Sequence, residues 1–257
     1  MSMTHEDVGS SRLFVGNTGD ATAWTRYADL LRDEDAEYDD ALKAYARAQA
    51  LDPDADYRLK IGKTLVLKGM TDEGLSLMRQ SLQDRPRSHG YCVLADACLT
   101  AGRVDDAFAA ASKAIELRPG WAEAHFMLGE ALSERPSESC VDSYRKAIEL
   151  DGECQQAWAS LGRELVASSD TVREGVECLK RALELNEHDG WSRAYYANAL
   201  RILGEAQRAD ENYRRAIQTL NGLPDAYHWY AGFLREQGRT GEAEEMERKA
   251  STDSLTD

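Results

Sequence analysis

The stretch "SKAIELRPGW" at 112–121 has a near-copy in "RKAIELDGEC" at 145–154 and a looser one in "KRALELNEHD" at 180–189. Repetition at a fixed period is the mark of a chain built from identical small units, so the period is the first thing to establish. Working outward from these stretches, one small residue recurs as Ala28, Gly62, Ala95, Gly129, Gly162, Ala197 and Ala231, at intervals of 33 to 35 residues. A second series runs Ala41, Gly74, Ala107, Cys140, Gly175, Ala209 and Ala243, and a third follows it by seven residues, from Ala48 to Ala250. Three registers that keep step over the whole chain are not a product of chance.

The offsets within one unit predict its shape. A large residue precedes the first small one (Tyr27, Ile61, Leu94, Leu128, Leu161, Tyr196, Tyr230), and an apolar residue follows it by three (Leu31, Leu65, Cys98, Leu132, Leu165, Leu200, Leu234). That spacing places them on one helical stripe, where the small residue admits a neighbouring helix and the large ones flank the contact. Gly69, Gly102, Gly204 and Gly238 fall where such a helix must stop and turn back. Pro53, Pro86 and Pro119 close the first three units, since proline cannot continue a helix.

Each unit is thus an antiparallel helix pair of about 34 residues. "AHFMLGEAL" at 124–132 and "WASLGRELVASS" at 158–169 resemble the first helix of a tetratricopeptide repeat, and "VDDAFAAASKAIELRP" at 104–119 resembles its second helix with the closing proline. The resemblance implies an all-α, right-handed solenoid of seven antiparallel helix pairs. It covers about 21–250 as a single array, with repeats near 21–54, 55–87, 88–120, 121–153, 154–188, 189–222 and 223–250. Residues 1–20 are expected to be partly disordered or to cap the first pair through Leu13, Phe14 and Val15, and 251–257 to be a disordered tail. Some positions depart from the pattern. The first unit has an extra residue in its acidic turn "RDEDAEYDD", the fourth and fifth turns read "ERPSES" and "SSDTVRE" without glycine, and Arg58 and Arg193 replace a customary aromatic.

Composition narrows the function classes. Of 257 residues 42% are apolar, enough for a core, and the net charge of −15 disfavours nucleic acid and anionic membranes. No apolar run is long enough to span a bilayer and the start "MSMTHEDVGSSR" is polar, so the expected location is cytoplasmic. Cys92, Cys98, Cys140, Cys154 and Cys178 form no CxxC pair and are expected to be reduced thiols rather than metal ligands. "IGKT" at 61–64 lacks the glycine of a phosphate-binding loop, with Tyr57 in its place, and Gly62 already has a packing role. His125 stands at the aromatic position and reads as a packed ring. No catalytic, cofactor or metal site is expected.

The resemblance implies that first helices line an inner groove that holds an extended peptide. At the matching offsets the candidate groove residues are Leu59, Lys63, Val66, Phe126, Arg163, Asn198, Arg201, His228 and Arg235. Asp29, Asp96 and Glu130 occupy offsets where a carboxylate clamp for a chaperone tail would want cations or amides, and Asn198 stands without an asparagine ladder. Apolar and basic positions alternate in an otherwise acidic chain, which suits a partner with acidic and bulky apolar groups. The aromatic run "YHWYAGF" at 227–233 is richer than packing requires, and Trp229 falls off the packing stripe. The expected function is a non-enzymatic scaffold or adaptor, with self-association open. The alternatives are a targeting or regulatory subunit of a separately encoded enzyme, or an assembly factor for a secretion or pilus system.

Overall fold

The computed structural model describes residues 19–135, 139–219 and 224–253. Among these residues the chain forms fourteen helices and no strand, and six of the seven predicted pairs close as hairpins. The first three pairs are α1 (Ala21–Asp33) with α2 (Tyr38–Leu51), α3 (Arg58–Leu67) with α4 (Thr71–Asp84), and α5 (Ser88–Thr100) with α6 (Val104–Leu117). Then come α7 (Ala122–Ser133) and α8 (Val141–Leu150). The last three pairs are α9 (Gln155–Leu165) with α10 (Val172–Leu185), α11 (Gly190–Ile202) with α12 (Ala206–Thr219), and α13 (Pro224–Glu236) with α14 (Thr240–Asp253). The expected cap at Leu13, Phe14 and Val15 lies outside the described residues, whereas α14 extends to Asp253, into the stretch expected as a disordered tail.

The helices group into two compact units that divide after residue 138, so the fourth predicted pair contributes α7 to the first unit and α8 to the second. In the first unit, α1/α2, α3/α4 and α5/α6 are tight hairpins, α3 packs on α5, and α7 packs on α5 and α6. The second unit has α8 against α9, the hairpins α9/α10, α11/α12 and α13/α14, and first helices in contact as α9–α11–α13.

The small registers do what their spacing requires. Ala28, Ala95, Ala197 and Ala231 on first helices, and Ala41, Ala107, Ala209 and Ala243 on second helices, have no exposed surface. Two hairpins are closer still, because glycine faces glycine. A Cβ on Gly62 would meet the Gly74 carbonyl at 2.7 Å, and one on Gly162 would meet Leu179 Cγ at 2.6 Å. Contacts this short leave no room for a side chain.

The turns converge on one carbonyl. Gly69, Gly102, Gly204 and Gly238 take left-handed φ of 91°, 67°, 78° and 74°. The next residue's N–H then reaches back to Leu65, Cys98, Leu200 and Leu234 at 2.8–2.9 Å, satisfying a carbonyl that the helix end leaves open. In the first unit the extra residue changes the geometry: Ala36 takes φ 51° and Glu37 donates to Leu31 at 2.9 Å. The fifth turn has no glycine, and there the Thr171 hydroxyl donates to Leu165 O at 2.6 Å.

The aromatic departures have a shared explanation. Trp158 Nε1 donates to Gly152 O at 2.9 Å, and His125 Nε2 bonds Pro119 O at 2.8 Å, which makes Nε2 the protonated nitrogen because a carbonyl only accepts. Arg193 Nη2 makes the equivalent bond to Glu187 O at 2.5 Å. At positions 125, 158 and 193 of this register a side-chain N–H reaches six residues back, and arginine supplies the last of them. Arg58 ties down its loop differently, through Asp56 at 2.9 Å and Asp84 at 2.7 Å.

A line of ion pairs links successive pairs of the first unit at their turn edge: Lys68 with Asp39, Arg103 with Asp72 at 2.8 Å, and Arg135 with Asp105. The three acidic partners share one register, in the first turn of each second helix, where negative charge also complements the helix dipole.

Candidate functional site

The nine groove positions read from the sequence divide between the units. Of the four in the first unit, Leu59 and Val66 are only 7% and 5% exposed and pack in the core with Leu75, Met78 and Leu82. This corrects their reading as side-chain pockets, since α3 is covered by both α4 and α5 and its apolar stripe is consumed between them. Phe126 is half-buried on α7. Lys63 reaches across to the next first helix and pairs with Asp96 at 2.8 Å.

In the second unit, Asn198, Arg201 and His228 come together. With Trp229, Gly232, Phe233 and Glu236 they line a cavity of about 420 Å³ between α11 and α13. Asn198 and Gly232 occupy the same register on consecutive first helices, as do Lys63 and Asp96 in the first unit. No atom beyond α13's own backbone and the adjoining residues lies within 4 Å of where a Gly232 Cβ would sit, so the missing side chain leaves open space. Arg235 turns away to Glu247 on α14 at 2.6 Å, and Arg163 pairs with its neighbour Glu164 at 3.1 Å.

The walls of the cavity are set by aromatic packing. The Trp229 ring meets Tyr195 edge-on, with centroids 4.9 Å apart and planes at 67°, and it meets Trp191 at 6.3 Å. Phe233 is almost fully buried and lies 5.5 Å from Tyr213, which in turn stacks on Tyr230 at 5.5 Å. Burial pushes the Tyr213 phenol up to about 12, so it remains a neutral donor. The polar side is equally ordered. Arg201 donates from Nη1 to Glu236 at 2.7 Å and from Nε to Asn198 Oδ1 at 3.1 Å. Burial pulls the Arg201 guanidinium down, but the bond to Glu236 and its charge outweigh that and hold it above its ordinary range.

The four groove cations share one property. Lys63, Arg163, Arg201 and Arg235 each meet a carboxylate of the chain itself, on Asp96, Glu164, Glu236 and Glu247 respectively. The expectation of an acidic partner therefore loses the unanswered positive charge on which it rested. Sequence reasoning missed Glu236 as a cavity residue, while Phe233 belongs to the aromatic run at 227–233. Glu236 stands one helical turn after Gly232, a spacing that would have found it once Gly232 was read as an opening.

The remaining reactive groups have structural roles. Burial pushes the Cys92 thiol up to about 12 and Cys98 to about 11, which keeps both protonated and unreactive. Among the described residues no helix is long and apolar enough to cross a membrane, and no group of three or more His, Cys, Asp or Glu could hold a metal ion.

Comparison with known proteins places these features. The family model of the tetratricopeptide repeat matches residues 59–122 and 92–152. The human protein O-mannosyl-transferase TMTC1 is 26% identical over 182 residues, which are 68% of this chain but only 19% of that protein's length. Among solved structures, MamA is 23% identical with a TM-score of 0.53 and covers 65% of this chain and 92% of its own. YrrB, described as a TPR protein with an unusual peptide-binding site, is 22% identical with a TM-score of 0.52, over 70% of this chain and 93% of its own. These structural likenesses carry the fold. With the three registers of small residues, the family match identifies tetratricopeptide repeats over residues 59–152, in a fold that serves generally as a scaffold for protein interaction.

Proposed function

We propose that the chain is a non-enzymatic adaptor that holds a segment of a partner protein in the cavity between α11 and α13. One observation carries the reading: three of the groove residues that the resemblance implies, Asn198, Arg201 and His228, line one cavity of about 420 Å³. That volume falls within the range of natural ligand pockets, and apolar walls with a few placed polar groups are their usual composition. The wall residues are aromatic and arginine, the types that anchor protein interfaces most strongly.

The test is site-specific photo-crosslinking. A benzoylphenylalanine at position 228, on the exposed rim, is compared with one at position 184 on the exposed face of α10. A discrete crosslinked product from 228 but not from 184, identified by mass spectrometry, supports the site. Equal products from both positions, or none from 228, overturn it.

A further inference from the structure

We infer that the cavity over Gly232 is a specificity pocket for an uncharged aromatic side chain of the partner segment, a reading that rests on the proposed site. The argument begins with the glycine. A glycine in the middle of a helix weakens it, so its presence needs a reason. Gly62, Gly74, Gly162 and Gly175 have one, because neighbouring atoms stand within about 3 Å of a Cβ there. Gly69, Gly102, Gly204 and Gly238 have another, because their φ is positive. Gly232 lies within α13 and has neither: its φ is not left-handed and nothing occupies the space in front of it. At the same register the other first helices carry Asp29, Lys63, Asp96, Glu130, Arg163 and Asn198. What Gly232 supplies is room.

The shape of that room favours a ring. Trp229 stands one turn before Gly232 and Phe233 follows it, and both are fixed by other aromatics, Trp229 against Tyr195 and Phe233 against Tyr213. Rigid aromatic walls reward a planar guest, which they meet in stacked or edge-on contact.

The charge of the room excludes an ion. Arg201 and Glu236 both face the cavity and satisfy each other at 2.7 Å. An entering carboxylate that took Arg201 would lie beside Glu236 and share its cation, and an entering ammonium would lie beside Arg201. An uncharged side chain disturbs neither. Asn198 then supplies the polar contact. Arginine can only donate, so the oxygen of Asn198 must face Arg201 Nε, and its Nδ2 makes no hydrogen bond among the described residues. Those two N–H groups suit a backbone carbonyl of the same guest.

The experiment uses the full chain and simple probes. Amide and indole resonances are followed by ¹H–¹⁵N NMR during titration with N-acetyl-L-phenylalaninamide, with the leucinamide, lysinamide and aspartic acid α-amide analogues in parallel. The expected result is that the phenylalanine probe shifts the Gly232 amide and the Trp229 indole N–H, with affinity at least tenfold above both charged probes and above leucine. Gly232→Leu should lose at least tenfold in affinity, and Gly232→Ala should weaken binding severalfold while raising the melting temperature. A rise in stability with a fall in binding is a signature that a merely structural glycine cannot give. If a charged probe binds as tightly as phenylalanine, or Gly232→Ala binds unchanged, the inference is overturned. If crosslinking from position 228 captures a partner yet the phenylalanine probe leaves Gly232 unshifted, the pocket reading falls and the site stands. If position 228 yields no crosslinked product and the probe shifts only resonances away from α11 and α13, both fall.

Discussion

Trp158 and Arg193 make the same hydrogen bond one repeat apart, each donating to the loop carbonyl six residues earlier, at 2.9 Å and 2.5 Å. At these two positions what is shared is a donor of the right reach, not an aromatic ring. Trp158→Phe should therefore cost about 1 kcal/mol although it keeps the ring, which is the net worth of one such bond. Arg193→Trp should cost less than Arg193→Leu. Denaturant midpoints of the four proteins check the order.

The fifth turn gives a second case of substitution by function. Thr171→Val keeps the shape but removes the hydroxyl that serves Leu165 O. A loss of about 1 kcal/mol is expected, with Thr171→Ser close to the parent. In the first turn the opposite change helps, because Ala36 occupies a conformation that disfavours a Cβ. Ala36→Gly should stabilise by about 0.5–1 kcal/mol, measured in the same denaturation experiment.

Gly162 and Gly232 are both helical glycines with opposite expected responses. A Cβ on Gly162 would stand 2.6 Å from Leu179 Cγ and 3.1 Å from its backbone nitrogen. Gly162→Leu should force α9 and α10 apart at a cost of about 1–3 kcal/mol or more, the usual scale of overpacking. An unchanged melting curve would mean that the hairpin does not close at this residue.

Asp56 makes stability depend on acid. Its side chain is 6% exposed, accepts from Ser81 at 2.6 Å and pairs with Arg58 at 2.9 Å. The hydrogen bond from the Arg58 guanidinium holds the carboxyl well below the usual range, against the opposing effect of burial and with help from Ser81. The folded carboxyl thus binds its proton less tightly than the unfolded one. Its contribution is complete above the unfolded pKa of about 4 and is lost as pH falls through and below that value. Asp56→Asn should destabilise the protein at pH 7, and the gap to the parent should narrow between pH 4 and pH 2. Unfolding free energies across that range test it.

Much of this architecture was legible because small residues have a single use at a helix crossing. Ala28, Ala41 and their repeats announce both helices of every pair, and four glycines announce the turns. The groove was legible in part. Asn198, Arg201 and His228, expected from the resemblance, line one cavity, whereas Leu59 and Val66 are buried in the core. Leu59, Lys63 and Val66 share one stripe of α3, and the spacing does not show which parts of that stripe the neighbouring helices cover. Nor does register show whether a charge is answered. Lys63 and Asp96 share one offset on adjacent helices, and only the fold brings them to 2.8 Å.

The edge ion pairs of the first unit, from Lys68–Asp39 to Arg135–Asp105, are solvent-exposed at their acidic ends, and each is worth little alone. Their value is as an address. Repeats with interchangeable alanine faces run the risk of docking on the wrong neighbour, the characteristic folding error of such arrays. The register that carries Asp39, Asp72 and Asp105 in the first unit carries Arg173, Gln207 and Gly241 in the second. A stray contact between the units would set Lys68, Arg103 or Arg135 against Arg173, or against residues with no charge to answer it. Near-identical modules are in this way kept in sequence by their rims, while their cores stay uniform.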